Sequence, residues 1–263
     1  MYKLLALDLD DTLLMKDLSI PGKLTADIER LISRGVVVTL ATGRMMASAQ
    51  RYAEQLKLTA PLVIYNGACL QKAGSPEACE RHTLPDALSA QIIRLFEENK
   101  WYLQLFDNNR IVVNHRTTET DMDPDSKYAA VVEAGDLRKI QCTNIPKMMS
   151  FGTPSDLDTR QRILSELFGR DISLVRTKPF LLEIMPCGVS KANGLQTLCD
   201  MFGISKSHAV VCGDSDNDAE MLRWAGLGCC MANGSPAAKL AADYITQAER
   251  SFGVLEVIEK FFL

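Results

Sequence analysis

Short apolar runs that alternate with helical patterns constrain the fold of this chain more than any other feature of its sequence. Residues 36–42 (VVVTLAT) form a continuous β-branched run, which is typical of a strand buried on both faces of a sheet. Similar runs at 2–9 and 62–67 are separated from it by stretches with helical spacing at 24–34 and 45–56. Because strand–helix–strand order favours parallel strands joined by right-handed crossovers, the sequence predicts an α/β fold.

The same alternation returns near the C-terminus. Strands are predicted at 209–214 (AVVCGD), 227–233 (LGCCMAN) and 243–246 (DYIT). Helical patterns precede and separate them, at 191–202 and 217–225 among others. We therefore expect both ends of the chain to contribute strands and helices to one Rossmann-like parallel-sheet core.

The middle of the chain follows a different pattern. Residues 101–114 (WYLQLFDNNRIVVN) predict two strands around the turn residues "DNN", and the polar stretch 117–128 predicts a loop. Hairpins mixed with helices are typical of an α+β module. We therefore predict a core formed by residues 1–83 and 187–263, with an α+β module inserted at 84–186.

Composition and charge narrow the class of protein. Of the 263 residues, 47% are hydrophobic and 24% are charged, which is typical of a soluble globular protein. The formal net charge of −4 gives no general attraction for nucleic acid or for an anionic membrane. No run approaches the roughly 20 apolar residues of a membrane-spanning helix, and the N-terminus lacks a signal-peptide pattern. We expect a cytoplasmic protein, a monomer or a homodimer, that binds neither nucleic acid nor a membrane.

The cysteines indicate no metal site and no disulfide framework. They include no CxxC pair and no spacing with the histidines that would suit zinc. Most lie among apolar residues, so reduced and buried thiols are expected. The eight residues are Cys69, Cys79, Cys142, Cys187, Cys199, Cys212, Cys229 and Cys230.

Acidic residues directly follow two of the apolar runs. Asp8 and Asp10 follow the first predicted strand in "LALDLDDTLL", and Asp214 and Asp218 follow another in "AVVCGDSDND". In an open α/β sheet the carboxyl ends of the strands form the edge where ligands bind. Aspartates in polar turns or helix caps are the structural alternative, but turn chemistry alone poorly explains two acidic clusters at one edge. The sequence therefore predicts a polar site at this edge.

Thr42 and Lys191 add a hydroxyl group and a positive charge to the predicted site. Thr42, in "ATGR", ends a third strand, and Lys191, in "GVSKAN", begins a helix after the inserted module. Adjacent carboxylates with an ordinary pKa of about 3.9 repel one another at pH 7, and one lysine cannot neutralise them. A divalent ion can, and oxygen ligands favour Mg²⁺, which keeps water and phosphate oxygens as further ligands. The site therefore suits a phosphate group, to which the helix start after Gly43 adds positive potential.

Four motifs in order resemble those of the haloacid dehalogenase superfamily of phosphohydrolases. They are DxDxT at 8–12, Thr42, Lys191 and GDxxND at 213–218. The inserted module, together with "SIPG", "ATGR", "NGA" and "LEIMPCGVSKANGL", resembles the Cof-type branch, whose cap is of type IIB. The resemblance covers nearly the whole chain. It implies that 1–83 and 187–263 form a catalytic core and that 84–186 form a cap that determines substrate specificity.

The resemblance also implies roles for individual residues. Asp8 is the expected nucleophile, which forms an aspartyl-phosphate, and Asp10 is the expected acid and base. The expected Mg²⁺ ligands are Asp8, Asp10 through its backbone carbonyl, and Asp214, with Asp218 behind them. The expected phosphate contacts are Leu9, Thr42, Gly43, Lys191 and Asn217. The implied reaction is Mg²⁺-dependent hydrolysis of small phosphorylated metabolites, sugar phosphates in particular.

Two other functions stay open on these residues. A phosphotransferase or phosphomutase would use the same aspartyl-phosphate with a different acceptor. A phospho-accepting signalling domain also has clustered aspartates, a threonine and a lysine, although Asp10 and the inserted module disfavour it. Near the site, we expect Asp11 to be solvated or to cap a turn, and Asp216 to cap a helix.

Overall fold

The computed structural model describes residues 1–141 and 143–263 of the chain. Cys142, one of the cysteines considered above, lies outside the described residues. In chain order the strands and helices are β1 (Leu4–Leu7), α1 (Gly22–Ser33), β2 (Val37–Leu40), α2 (Met46–Gln55), β3 (Leu62–Ile64), β4 (Cys69–Gln71), β5 (Ala78–Arg81), α3 (Asp86–Asn99), β6 (Gln104–Asp107), β7 (Arg110–Val113), α4 (Thr118–Met122), β8 (Ala130–Glu133), β9 (Lys147–Phe151), α5 (Pro154–Phe168), β10 (Ile172–Lys178), β11 (Leu181–Pro186), α6 (Lys191–Phe202), β12 (Ala209–Gly213), α7 (Ala219–Trp224), β13 (Leu227–Cys230), α8 (Pro236–Ala241), β14 (Tyr244–Ile245) and α9 (Arg250–Phe261).

The described residues divide into two compact units. The first unit comprises Met1–Gly43, Ala49–Glu80 and Ser190–Leu263, so it is built from both ends of the chain. The second unit comprises Arg44–Ser48 and Arg81–Val189. Each unit is built around its own large sheet and buries its own apolar side chains. That the second unit acts as a cap remains a prediction.

The first unit is organised around a parallel sheet with the strand order β14-β13-β12-β1-β2. Its central strands β1 and β12 are buried along their whole length, as their apolar sequences require. They pair in register from Leu4 with Ala209 to Leu7 with Cys212, and the amide of Asp8 donates to the carbonyl of Cys212 at 2.9 Å. The two strands therefore end at the same edge of the sheet. This architecture confirms the predicted α/β class with a parallel-sheet core.

Helices α6 and α7 are fixed to this sheet by apolar packing. Leu195 of α6 and Leu222 of α7 are buried in one cluster with Val211 of β12. Burial of each such leucine or valine side chain contributes about 1.5–3 kcal/mol relative to exposure. The N-terminal ends of the two helices, where Lys191 and Asp218 lie, are thereby held at the carboxyl edge of the sheet.

β3 departs from the predicted parallel sheet. A single parallel bridge joins Ala41 to Val63, and β3 otherwise pairs antiparallel with β4 in a separate sheet of order β3-β4-β5. Tyr65, Asn66 and Gly67 follow β3 with positive φ angles of 51°, 54° and 100°. These left-handed conformations reverse the chain and send it back beside β3. The predicted continuation of this strand through residue 67 is therefore wrong.

The second unit contains a mainly antiparallel sheet of order β10-β11-β9-β6-β7-β8, in which β7 and β8 are parallel. Helices α3 and α5 pack on one face of it, where Phe96 and Leu157 are buried with Met148 of β9. The predicted hairpin around "DNN" is confirmed as β6 and β7, and Asn108 and Asn109 adopt positive φ angles at its turn. Asparagine tolerates this conformation better than most residues do.

The stretch at 117–128 is not the loop that its polar composition predicted. It contains α4 and a 3₁₀ turn at Pro124–Lys127. The amide of Thr117 donates to Oγ1 of Thr120 at 3.1 Å, and Asp123 accepts from the amide of Asp125 at 3.0 Å. These polar side chains stabilise the starts of short helical segments, which need no apolar periodicity to form.

The described cysteines are free thiols. Cys79 and Cys187 are exposed, so the expectation of buried thiols is wrong at these two positions, whereas the remaining described cysteines are buried. None of the described helices combines the length and the apolar character that crossing a membrane requires.

Candidate active site

Asp8 and Lys191 form a buried ion pair at the carboxyl edge of the first unit's sheet. Asp8 directly follows β1, and Lys191 is the first residue of α6. Nζ of Lys191 donates to Oδ1 of Asp8 at 2.6 Å and to Oδ1 of Asp218 at 2.7 Å. The amide of Asn193 donates to Oγ of Ser190 at 3.3 Å, which caps α6. The start of α6 therefore presents its lysine to two carboxylates from different loops.

The loop after β12 supplies a second set of buried carboxylates. Asp218 is fully buried, and its Oδ2 accepts from the amides of Asp214 and Ser215, both at 2.9 Å. Asp214 accepts from Oγ1 of Thr12 at 2.6 Å and from Oγ of Ser215 at 3.1 Å. Because Thr12 lies in the loop that follows Asp8, the loops after β1 and β12 are hydrogen-bonded to each other directly.

The carboxylates of this site fit a divalent metal ion. Asp8, Asp214 and Asp218 each offer an oxygen, and these oxygens lie within 4.8 Å of one another. Among residues 1–141 and 143–263, this is the group of three or more acidic, histidine or cysteine side chains that converges so closely. The ammonium group of Lys191 contacts two of these three carboxylates. A donor set made only of oxygen, with negative charge in excess, suits Mg²⁺.

Burial shifts the pKa values of these groups. Burial raises the pKa of Asp8 well above its usual value; the charge of Lys191 opposes this shift, and those of Asp218 and Asp214 add to it. Burial and the charge of Asp218 raise the pKa of Asp214 to about 6. For Lys191, burial favours the neutral form, but Asp218 and Asp8 outweigh it and raise the pKa above its usual value. An additional positive charge beside Asp8 and Asp214 would therefore favour their charged forms.

The chain after Asp8 closes into a tight helical loop at residues 9–13. Leu9 is fully buried, and its carbonyl accepts from the amide of Leu14 at 2.9 Å. Asp10 is half-buried with an extended backbone, at φ −77° and ψ 131°. Asp11, which follows, is left-handed at φ 62°. The backbone therefore turns sharply directly after Asp10.

Thr42, Gly43 and Asn217 meet at Asn66. The amide of Asn66 donates to the carbonyl of Thr42 at 2.9 Å, and Nδ2 of Asn217 donates to Oδ1 of Asn66 at 3.1 Å. A Cβ added to Gly43 would lie 3.0 Å from Oδ1 of Asn66. Asn66 thus joins the end of β2 to the turn that carries Asn217. The sequence left Asn66 open between a pocket contact and a turn role, and "NGA" was the signal for it.

Asp11 is partly solvated, as expected, but it also has an ionic partner, and Asp216 does not cap a helix as expected. Nη2 of Arg250 lies 2.5 Å from Oδ1 of Asp11, so Asp11 belongs to an ion pair. Asp216 accepts from Oγ of Ser235 at 2.5 Å, and Ser215 is the residue that precedes the helical turn. The partners Arg250 and Ser235 lie at the starts of α9 and α8, so the local sequence around each aspartate contained no signal for them.

Comparison with known proteins places the chain in a family. The sequence model of haloacid dehalogenase-like hydrolases matches residues 5–258. The 5-amino-6-(5-phospho-D-ribitylamino)uracil phosphatase YitU of Bacillus subtilis (strain 168) is 31% identical over 98% of this chain and 97% of its own length. An HMP-PP phosphatase of Enterobacter sp. (strain 638) is 27% identical over 90% of this chain and 86% of its own. A solved haloacid dehalogenase-like hydrolase from Bacteroides thetaiotaomicron aligns over 100% of both chains with a TM-score of 0.86 and 28% identity. The chain therefore belongs to the haloacid dehalogenase-like hydrolases and is a phosphatase of their Cof-type branch.

Proposed function

We propose that the chain is a Mg²⁺-dependent phosphatase of small phosphorylated metabolites, with sugar phosphates as the preferred class, and that it works through an aspartyl-phosphate at Asp8. The observation that carries the proposal is the buried contact of Asp8 with Lys191 beside the carboxylates of Asp214 and Asp218. A nucleophilic carboxylate needs positive charge around it before an anionic phosphate can approach.

Mg²⁺ would be held by a carboxylate oxygen of Asp8, the backbone carbonyl of Asp10 and the carboxylate of Asp214. When bound, it supplies positive charge that offsets the repulsion between the phosphate and the carboxylates. Asp218 would hold the metal-binding loop in place, because its Oδ2 already accepts from the amides of Asp214 and Ser215. Its Oδ1 pairs with Lys191 and so orients that ammonium group as well.

In the first step a carboxylate oxygen of Asp8 would form a bond to phosphorus while the bond from phosphorus to the ester oxygen breaks. Asp10 would give its proton to the departing alkoxide. In the second step Asp10 would take a proton from water, whose oxygen attacks phosphorus. The bond to Asp8 would break, which releases inorganic phosphate and restores the carboxylate. Proton transfer of this kind contributes typically 10²- to about 10⁴-fold in rate.

Phosphate oxygens would be held by Lys191 and the hydroxyl of Thr42, with further contacts from Leu9, Gly43 and Asn217. Thr42 is 1% exposed, so a hydrogen bond from its hydroxyl acts in a place with little competing water. Asn66 would orient Asn217, whose amide donates to it. Fixed donors of this kind stabilise the charge that develops on the phosphoryl oxygens.

The names of two relatives support small phosphorylated metabolites as substrates. One is named for a phosphorylated ribityl chain on a uracil ring, and the other for HMP-PP. A phosphorylated ribityl chain is chemically close to a sugar phosphate, so sugar and polyol phosphates come first among the candidates. We assign the choice between them to the second unit, acting as a cap.

A substrate screen tests the proposal. Release of inorganic phosphate is measured from sugar phosphates, nucleotides and phosphorylated cofactors, with Mg²⁺ and with EDTA, for the wild type and for Asp8→Asn. We expect turnover that requires Mg²⁺ and is lost in the variant. A wild type that leaves every ester intact, or an Asp8→Asn variant of full activity, would overturn it.

The same screen separates the two alternative functions. With an acceptor sugar present, a phosphotransferase or phosphomutase yields a new phosphate ester in place of free phosphate. A signalling domain yields a phosphoprotein that persists for many minutes without turnover. Either outcome would replace hydrolysis as the function.

A further inference from the structure

A closed ring of polar contacts surrounds Asp11, the residue after the proposed acid Asp10. Nη2 of Arg250 lies 2.5 Å from the carboxylate of Asp11. The backbone amide of Arg250 donates to Oδ1 of Asn233 at 3.0 Å, and Nδ2 of Asn233 donates to the carbonyl of Asp11 at 2.8 Å. Side chain and backbone of Asp11 are thus held by two residues that also hold each other.

Further contacts from the start of α9 hold the rest of this loop. Nη1 of Arg250 donates to the carbonyl of Leu14 at 3.4 Å, and Oγ of Ser251 donates to the carbonyl of Leu13 at 2.5 Å. The loop at residues 9–14 is therefore bound to the start of α9 at three separate carbonyl or carboxylate positions. Contacts spread in this way fix a loop's orientation as well as its location.

The conformation of Asp11 explains why the loop needs such contacts. Its φ of 62° is left-handed, a region that residues with a Cβ enter at a cost. Such a conformation persists only when surrounding contacts hold it in place. Because Asp11 follows Asp10 directly, relaxation of its backbone would also move Asp10 relative to the rest of the loop.

Stability alone does not account for this ion pair. The side chains of Arg250 and Asp11 are 18% and 39% exposed, and partly solvated pairs contribute little to folding. The reaction rate is far more sensitive to the position of a proton donor, because a displacement of about 1 Å can cost about 100-fold in rate. The contacts of Arg250 therefore matter more for the geometry of the loop at residues 9–14 than for the stability of the fold.

We propose that Arg250, together with Asn233, is a positioning residue that holds Asp10 in place to protonate the leaving group. The proposal rests on the proposed function, in which Asp10 is the proton donor. It concerns a residue outside the four motifs and outside the proposed contacts to phosphate and Mg²⁺.

Two esters that differ in their leaving group test this role. Phenyl phosphate and p-nitrophenyl phosphate have nearly the same shape, but p-nitrophenolate leaves readily without a proton and phenolate benefits from one. We expect Arg250→Gln to lower kcat/KM for phenyl phosphate by about 10-fold and for p-nitrophenyl phosphate by less than about 3-fold, since only part of general acid catalysis is lost. A merely structural role would lower both values equally.

Four further variants sharpen the test. Arg250→Lys keeps the positive charge and should recover most of the activity on phenyl phosphate. Asp11→Asn should show the same preference for the nitro ester, and the double variant with Arg250→Gln should lose no more than either single one. Lys23→Ala is the control. It removes an exposed ion pair with Glu259, which lies near the end of α9, and should leave kcat/KM unchanged for both esters.

The outcomes are distinguishable. A wild type that hydrolyses neither ester overturns the proposed function itself. A wild type that hydrolyses both, with equal losses for the two esters in Arg250→Gln or with additive losses in the double variant, overturns the role of Arg250 alone. Failure of Arg250→Gln to fold would leave Arg250→Lys and Asp11→Asn as the deciding variants, and equal losses on the two esters in Asp11→Asn would also overturn it.

Discussion

Each unit of the molecule buries one lysine among several carboxylates, and the two clusters differ in how those carboxylates are arranged. In the first unit Lys191 contacts Asp8 and Asp218. In the second unit Nζ of Lys147 donates to Glu183 at 2.7 Å and lies 4.5 Å from the centre of the Phe106 ring. Both lysines are 2% exposed. Burial and charge alone therefore do not distinguish the two clusters.

The direction of the carboxylate oxygens does distinguish them. In the second unit Asp123, near Lys147, accepts from the amide of Asp125 at 3.0 Å and from Nε2 of Gln104, so its oxygens are engaged inside the fold. In the first unit the oxygens of three aspartates converge within 4.8 Å. Carboxylate oxygens that converge this closely suit a shared cation, which is what separates the first cluster from the second.

The largest expected difference concerns the carboxylates that the lysines contact. Asp8→Asn removes the proposed nucleophile and should lower kcat by at least about 10⁴-fold, because a carboxamide cannot form the acyl phosphate. Glu183→Gln alters the corresponding carboxylate of the second unit and should lower kcat far less. Steady-state release of phosphate from p-nitrophenyl phosphate measures both. Similar losses in the two variants would remove the distinction between the clusters.

The lysines themselves give the next largest difference. Lys191→Met should lower kcat by about 10²- to 10³-fold, the usual loss when one donor to a developing phosphoryl charge is removed. Lys147→Met should lower the thermal midpoint, because loss of one partner of a buried pair costs about 3–5 kcal/mol, and should retain Mg²⁺-dependent turnover. Turnover that is abolished in Lys147→Met at a temperature where the variant is folded would contradict this assignment.

Mg²⁺ should stabilise one cluster and not the other. A ligand at about 100 times its Kd adds about 2.7 kcal/mol to the stability of the state that binds it. The thermal midpoint of the wild type should therefore rise by several degrees with Mg²⁺, and scanning calorimetry measures this. The rise should disappear in Asp214→Asn and persist in Asp123→Asn. The reverse pattern would place the metal in the second unit.

The last expected difference is how the stability of the second cluster depends on pH. Burial and the charge of Asp123 raise the pKa of Asp125 to about 7. Between about pH 4 and pH 7 the folded state then keeps a proton that the unfolded state has released, so stability falls as pH rises through this range. The variant Asp125→Asn has no titrating group at this position. Its thermal midpoint should therefore rise relative to that of the wild type between about pH 5 and about pH 8.

A surface aspartate provides the control for this pH effect. A hydrogen bond from Arg138 lowers the pKa of Asp136 to about 2, so Asp136 is ionised in both states throughout the same range. The midpoint of Asp136→Asn should therefore keep a constant offset from the wild type. A constant offset for Asp125→Asn as well would show that Asp125 does not titrate as its burial indicates.

The sequence predicted those parts of the site that follow from strand order. Asp8 and Asp214 each follow a fully apolar strand, and parallel strands in register bring such residues to one edge. The reversal after β3 was missed because residues 62–67 are uniformly apolar up to Tyr65, while the left-handed turn depends on three consecutive φ angles. The pairing of Asp11 with Arg250 joins segments that are distant along the chain. Local patterns contain no information on such contacts.

Trapping the phosphorylated protein tests most directly whether the converging cluster of the first unit performs the reaction. The wild type is mixed with p-nitrophenyl phosphate and Mg²⁺, quenched in acid during turnover and reduced with borohydride, which converts an aspartyl-phosphate to homoserine. Mass spectrometry should find homoserine at position 8 in the wild type, and neither in Asp8→Asn nor without Mg²⁺. Rapid turnover with an unmodified Asp8, or with the modification on another carboxylate, would contradict the assignment of Asp8 as the group that receives the phosphoryl group.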